Sequence, residues 1–189
     1  IQFASDSKIQ KICKYALPEY IRSLIIPSHV KELEEGWCTC TQYLNKIYVS
    51  PSNRYFKKYK EKIIIGKTKL EQTNFDTLVF CLRDVETITI PNFIKRICPN
   101  AFDGCNHLEK IEIPSDSKLQ TIGKNAFNDV NIESLTIPSF VKKLEEGWCC
   151  NTPFLNKVFV HPSNQNFKSI DNKIIIGKSR TNQTSFDTL

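Results

Sequence analysis

Eight cysteines, three histidines and two pairs of adjacent glutamates are the side chains in this 189-residue chain whose types could do chemistry. Thiolates act as nucleophiles or ligate zinc. Cys38-Thr39-Cys40 and Cys149-Cys150 invite both readings. Neither has the Cys-x-x-Cys spacing of structural zinc pairs, and both are too tight for an ordinary disulfide. A serine or cysteine nucleophile needs a base within hydrogen-bond reach. His29, His107 and His161 stand in different contexts and suggest no such partner. Glu34-Glu35 and Glu145-Glu146 are adjacent, so their side chains diverge, and they read as solvated turn acids. No GxGxxG, phosphate-loop or HExxH motif is present. The pattern argues against an enzyme, and no catalytic residue, cofactor or metal is expected.

Charge offers a second chemistry. The net charge of +6 is unevenly spread. Arg54, Lys57, Lys58, Lys60, Lys62, Lys67 and Lys69 cluster with only Glu61 among them, while Lys168, Lys173, Lys178 and Arg180 follow more thinly around Asp171. The first cluster reads either as a solvated loop or as a polyanion site on Arg54, Lys57, Lys58, Lys60 and Lys62, through long-range attraction for a sulfated glycan. Nucleic acid is not expected. No apolar run reaches the roughly 18 to 20 residues of a membrane span, so a membrane would be met only through an anchor outside this sequence. The chain has no methionine and stops at Leu189, where the matching first stretch continues into Val79-Phe80-Cys81. It therefore reads as a window cut from a longer array, whose missing targeting signals say nothing about location.

The elements that must position these groups are repeats. Leu24–Leu78 and Leu135–Leu189 align without a gap at an offset of 111, with 34 of 55 positions identical. LEEGWC, PSN, KIIIGK and FDTL recur as blocks. Inside this long period runs one of about 23 residues. Its starts are Ile21, Leu44, Val85, Leu108, Ile132 and Leu155, each opening an LxxIxI segment closed by proline. Apolar residues on alternate positions are the mark of a half-buried strand, and proline ends it for want of an N–H. Downstream the pattern continues as Ile94, Ile97, Cys98, Ala101, Phe102, Cys105 and Leu108. In the duplicated units Trp37 and Trp148 take the alanine slot, and Cys38 and Cys149 the phenylalanine slot, a swap that conserves volume. Core or turn slots account for Cys13, Cys38, Cys81, Cys98, Cys105 and Cys149 as small buried hydrophobes. Disulfides remain the alternative.

The signature LxxIxIPxxVxxIGxxAFxxCxx, clearest over 85–113, resembles that of BspA-type (TpLRR) leucine-rich repeats, found in surface proteins of bacteria and parasitic protists. The resemblance implies a mainly β leucine-rich-repeat solenoid of six or seven coils, with short turns or single helical turns on its outer side. Approximate units are 1–23, 24–46, 47–84, 85–107, 108–131, 132–154 and 155–189. The glycine slot departs from the pattern at Cys13, Glu34, Cys98 and Glu145, and the cysteine slot at Thr41, Val130 and Thr152. Two long units carry insertions, in which Lys62–Lys67 and Leu78–Cys81 read as extra, hairpin-like strands. Asp171-Asn172 supplies good turn chemistry there and Lys60-Glu61 does not.

The central residue of each LxIxI faces away from the core, so stacking should line Ile25, Tyr48, Thr89, Glu112, Thr136 and Phe159 along the open face of the sheet. Exposed aromatic anchors suit a protein partner; the competing reading is that the insertions cover Tyr48 and Phe159. As the resemblance implies, the expected function is recognition or adhesion at an extracellular or cell-surface location, toward host-cell, matrix or microbial partners. An intracellular, cytoplasmic scaffold and a glycan binder are the alternatives. Asn182-Gln183-Thr184 is a glycosylation sequon compatible with secretion.

Overall fold

In the computed structural model, which describes residues 1, 3 and 7–178, the chain winds as a β-solenoid of about seven turns. The strands run β1 (Lys11–Ile12), β2 (Ser23–Ile26), β3 (Glu32–Leu33), β4 (Lys46–Val49), β5 (Phe56–Tyr59), β6 (Ile63–Gly66), β7 (Thr77–Cys81) and β8 (Thr87–Thr89). They continue as β9 (Arg96–Ile97), β10 (Lys110–Glu112), β11 (Thr121–Ile122), β12 (Ser134–Ile137), β13 (Lys143–Leu144), β14 (Lys157–Val160), β15 (Phe167–Ile170) and β16 (Ile174–Gly177). Among the described residues the connections are turns and bends; no helical turn is present, and none is long and apolar enough to cross a membrane.

Each LxxIxI segment forms a strand on one face, paired in parallel and in register with its neighbour. Leu24 lies opposite Ile47, Ile88 opposite Ile111, and Leu135 opposite Val158. The face is built from three such pairs, β2–β4, β8–β10 and β12–β14. Between β4 and β8 the ladder is interrupted, and the Lys62 amine donates to the Thr87 carbonyl at 2.9 Å. On the second face the short strands β7, β9, β11 and β13 pair in parallel, one per coil. Strand β7 also runs antiparallel to β6, and β6 to β5. The first insertion is therefore a three-stranded meander rather than a hairpin. Lysines at positions 57 and 58 hide β5 from a reading of apolar periodicity.

The insertions are anchored by one side chain each. Asn53 is buried; its Nδ2 donates to the carbonyls of Pro27 (2.7 Å) and Val30 (2.9 Å) in the preceding coil. Its Oδ1 accepts from the N–H groups of Tyr55 and Phe56, both at 2.8 Å. Asn164 repeats this with Pro138, Val141, Asn166 and Phe167. That is why PSN survives in both copies: no other side chain of this size offers two donors and an acceptor in this geometry. Asn53→Asp turns the donor into an acceptor facing two carbonyls. We expect a loss of about 3 kcal/mol, lowering the thermal midpoint by about 6–12 °C. An unchanged midpoint in a melting experiment would refute the anchor.

Both insertions turn the same way, although their turn sequences differ. Lys60 and Glu61 adopt positive φ (46° and 56°), as do Asp171 and Asn172 (50° and 54°). The poor turn residues of the first copy are held by an ion pair from Lys58 to Glu61 at 2.6 Å and by the Lys60 ammonium over the Tyr59 ring.

Inside the coils an aromatic file carries much of the packing. Trp37 lies 5.4 Å from Phe80, Phe102 stacks on Phe127 at 5.1 Å, and Phe127 meets Trp148 edge-on at 6.4 Å. The N–H of Phe102 donates to the Ala126 carbonyl and that of Phe127 to the Trp148 carbonyl, so Trp148 does occupy the slot of Ala126 one coil on.

Candidate functional site

The regular face presents the expected row of outward residues. Ile25 stands opposite Tyr48, Thr89 opposite Glu112 and Thr136 opposite Phe159. Tyr48 is 55% and Phe159 40% exposed, so the described residues of the insertions cover neither ring. Ile25 is half-buried and the other three are exposed. The centre of the face is polar: Thr89 Oγ1 donates to Glu112 Oε2 at 3.0 Å, and Lys110 pairs with Glu112 at 2.6 Å. The Lys110 hydrogen bond, with that of Thr89, holds the Glu112 carboxyl below its ordinary value. Two apolar anchors thus flank a charged middle.

A second aromatic feature lies one residue before the LxxIxI starts. Tyr20 stacks on Tyr43 at 5.9 Å, both exposed, and Phe154 is the exposed counterpart of Tyr43 in the second copy. Reading the residue before each start as its own column would have found this stack.

The linear basic cluster comes apart in space. Lys57 and Lys58 are successive residues of β5 and point to opposite faces. Lys58 faces Glu61, Lys62 reaches Thr87, and Arg54 is exposed on the turn before β5. Lys57 instead lines a groove of about 460 Å³ with Lys95 and Lys118, two residues that the sequence had not singled out. Arg180, the sequon at Asn182 and the second FDTL block (Phe186–Leu189) lie outside the described residues.

The paired carboxylates cap the neighbouring coil. Glu34 accepts from the N–H of Lys14 at 3.0 Å, and Glu145 from that of Lys124 at 3.1 Å. The Lys14 hydrogen bond leads in holding the Glu34 carboxyl low. Burial would raise that of Glu145, but Lys143, the Lys124 N–H and Arg96 outweigh it. Their second members, Glu35 and Glu146, are exposed. These are structural contacts between coils, not an acid–base pair.

The cysteines are unbridged, and among the described residues no group of histidine, cysteine and carboxylate side chains could hold a metal ion. Burial pushes the Cys38 thiol up to about 12. One cluster is unusual. Arg83, 2% exposed, donates from Nη1 to the Ala101 carbonyl (3.3 Å) and to Cys105 Sγ (3.2 Å). Its guanidinium lies 4.2 Å from the Phe80 ring centroid, and its Nε and Nη2 have no protein partner. Cys105 Sγ lies 3.9 Å from the carbonyls of Cys81 and Leu82, and Cys81 Sγ 3.5 Å from that of Leu82. Burial alone would raise the Cys105 thiol; the Cys81 hydrogen bond and the Arg83 charge reverse that and lower it. The same burial drives Cys81 upward. The Arg83 guanidinium thus meets a sulfur whose ionisation its charge favours.

Residues 73–186 match the BspA type leucine rich repeat region in six copies. Among curated proteins no sequence matches. Three solved structures are similar in fold. A leucine-rich repeat protein from Eubacterium ventriosum is 20% identical over 78% of this chain and 38% of its own, with a TM-score of 0.64. A leucine rich cell surface protein from Faecalibacterium prausnitzii is 16% identical over 84% of this chain and 47% of its own, with a TM-score of 0.60. The pneumococcal vaccine antigen PcpA is 23% identical over 83% of this chain and 34% of its own, with a TM-score of 0.52. The chain spans less than half the length of each of these proteins.

Proposed function

The chain belongs to the BspA-type leucine-rich repeat family, and from that premise we propose that it is a non-enzymatic adhesion module that binds protein partners at an extracellular or cell surface. The observation that carries this is the pair of exposed rings, Tyr48 beside Ile25 and Phe159 beside Thr136, at the two ends of one regular face. Large aromatic side chains on a rigid sheet lose little conformational freedom when covered, which makes them effective anchors. The polar centre at Thr89, Glu112 and Lys110 sets register by charge and contributes little net affinity, since exposed ion pairs are worth at most about 1 kcal/mol. Partners on a host-cell, matrix or microbial surface fit a module whose face is extended rather than concave around a small ligand.

The test is binding of the labelled protein to intact epithelial cells across a salt series. Apolar anchoring predicts saturable binding that survives salt, because screening weakens exposed charge contacts and leaves apolar burial intact. Tyr48→Ser with Phe159→Ser should weaken it by at least about tenfold. Binding indifferent to both substitutions would remove this face from the mechanism.

A further inference from the structure

The groove that gathers Lys57 is a different kind of site from the regular face. Its floor is Tyr59, Phe75, Phe93 and Ile65, and Tyr59 packs edge-on against Phe93 at 5.7 Å. Its rim carries the exposed ammonium side chains of Lys57, Lys95 and Lys118, with Thr73 and Asn74 beside them. The one carboxylate in it, Asp76, is buried and already engaged. Its Oδ1 accepts from the Thr68 N–H (3.0 Å), the Thr68 hydroxyl (2.8 Å) and Gln72 Nε2 (2.6 Å), while Oδ2 faces Lys95 at 3.5 Å. Asp76 therefore ties down the loop 67–76 that walls the groove, leaving Lys57 and Lys118 with no carboxylate within ion-pair distance among the described residues. Three coils contribute: the first insertion gives Lys57, the coil of β9 gives Lys95, and Lys118, whose N–H donates to the Asn92 carbonyl, comes from the next.

From this we infer that the groove between β5 and the coil of β9 is a binding site for a sulfated saccharide, with Lys57, Lys95 and Lys118 taking its sulfate groups and Tyr59, Phe75 and Phe93 its ring faces. Compact ammonium groups on flexible stems suit anionic oxygens at variable spacing. A concave site with an apolar floor and few polar groups is the usual form of a small-ligand pocket, and sugar rings present both C–H faces and polar edges. A groove of this length holds too few lysines to track a nucleic-acid backbone, which needs a continuous basic path. The inference does not depend on the regular face, since Tyr48 and Phe159 take no part in it.

The probe is a heparin-derived hexasaccharide, compared with the same oligosaccharide after desulfation and with a single-stranded oligonucleotide of matched charge. Each amine makes a charge-assisted contact, so Lys57→Gln with Lys118→Gln should weaken hexasaccharide binding by at least about tenfold. Lys58→Gln with Lys62→Gln removes the same charge from the other side of the meander and should change it by less than about twofold, the loss left to long-range attraction alone. Lys57, Lys62 and Lys118 are exposed and Lys58 is half-buried. A parental thermal midpoint for the Lys57 and Lys118 double variant confirms that its folding is untouched. The control gives up the Lys58–Glu61 pair and the Lys62–Thr87 bond and can only lose stability, so its retained binding is the stricter comparison. Failure of the hexasaccharide to bind at physiological salt overturns the proposal. So do equal losses in the two double variants, or binding of the desulfated sugar or the oligonucleotide as tight as that of the sulfated one.

Discussion

Gly123→Ala should lower the thermal midpoint by about 6–12 °C, from a loss of about 3 kcal/mol. A methyl group there would stand 2.5 Å from the Pro99 nitrogen, 2.8 Å from the Cys98 carbonyl carbon and 2.9 Å from the Ile97 carbonyl oxygen. All three are backbone atoms of the preceding coil, so no side chain can swing aside. The coils cannot part cheaply either, since the Gly123 N–H donates to the Ile97 carbonyl at 3.0 Å and β11 pairs with β9. The comparison within the chain is sharper than the clash alone. Glu34, Glu145 and Cys98 occupy the same slot and make the same bond, to the carbonyls of Ile12, Ile122 and Leu78. The two glutamates turn back and cap the N–H of the next residue in the preceding coil, Lys14 or Lys124. Below Gly123 that next residue is Pro99, which has no N–H to cap. A side chain there would be sterically opposed and gain nothing. Gly123→Glu should therefore be at least as damaging as Gly123→Ala, and Pro99→Ala should recover part of that loss by supplying the missing donor. Strictly additive melting effects for Pro99→Ala and Gly123→Glu would refute the pairing.

That slot shows what was legible in the sequence and what was not. The apolar periodicity located the strands of the regular face, and their inward residues, such as Leu24, Ile47, Ile90 and Leu135, are buried as the pattern requires. It identified Glu34 and Glu145 as departures from glycine but not their reason, because the reason lies one coil away, in the presence or absence of an N–H. The two-residue strands β1, β3, β9, β11 and β13 are too short to show a period of two. Strand β5 escaped notice because half its residues are lysines. The outward row was readable because alternation fixes direction, and Tyr48 stays exposed because the first insertion joins the sheet of the second face. The anionic groove was not readable: Lys57, Lys95 and Lys118 are separated by 38 and 23 positions, and only the meander brings β5 beside them. A cluster in sequence on a strand is split by the pleat, whereas one in space needs the fold.

Cys105→Ala should destabilise the protein by about 3–5 kcal/mol, more than its size suggests, because it takes from the buried Arg83 guanidinium the sulfur that accepts from its Nη1. Arg83 has no carboxylate within ion-pair distance among the described residues; its Nη1 meets only the Cys105 sulfur and the Ala101 carbonyl. Replacing both partners is far less costly, since a buried pair exchanged for apolar side chains of similar volume is often neutral. Arg83→Met with Cys105→Ala should therefore be more stable than Cys105→Ala alone, and denaturant unfolding of the four proteins measures the coupling. Effects additive within about 0.5 kcal/mol would show that the pair does not interact. The pH dependence gives an independent check. Burial opposes ionisation of Cys105, but the Cys81 hydrogen bond and Arg83 bring its folded thiol below the ordinary value. A depressed value means that the stabilisation is complete above the unfolded thiol value, about 8.5, and is lost as pH falls through the folded one. Cys38 and Cys81, driven upward by burial, act oppositely and lose stability only as pH rises beyond that point. The stability difference between the parent protein and Cys105→Ala should thus shrink as pH drops below about 8.5, where Cys105 alone of these three thiols changes charge. A difference that stays constant through that range would mean that Cys105 keeps its proton and that Arg83 is held by Phe80 and the Ala101 carbonyl alone.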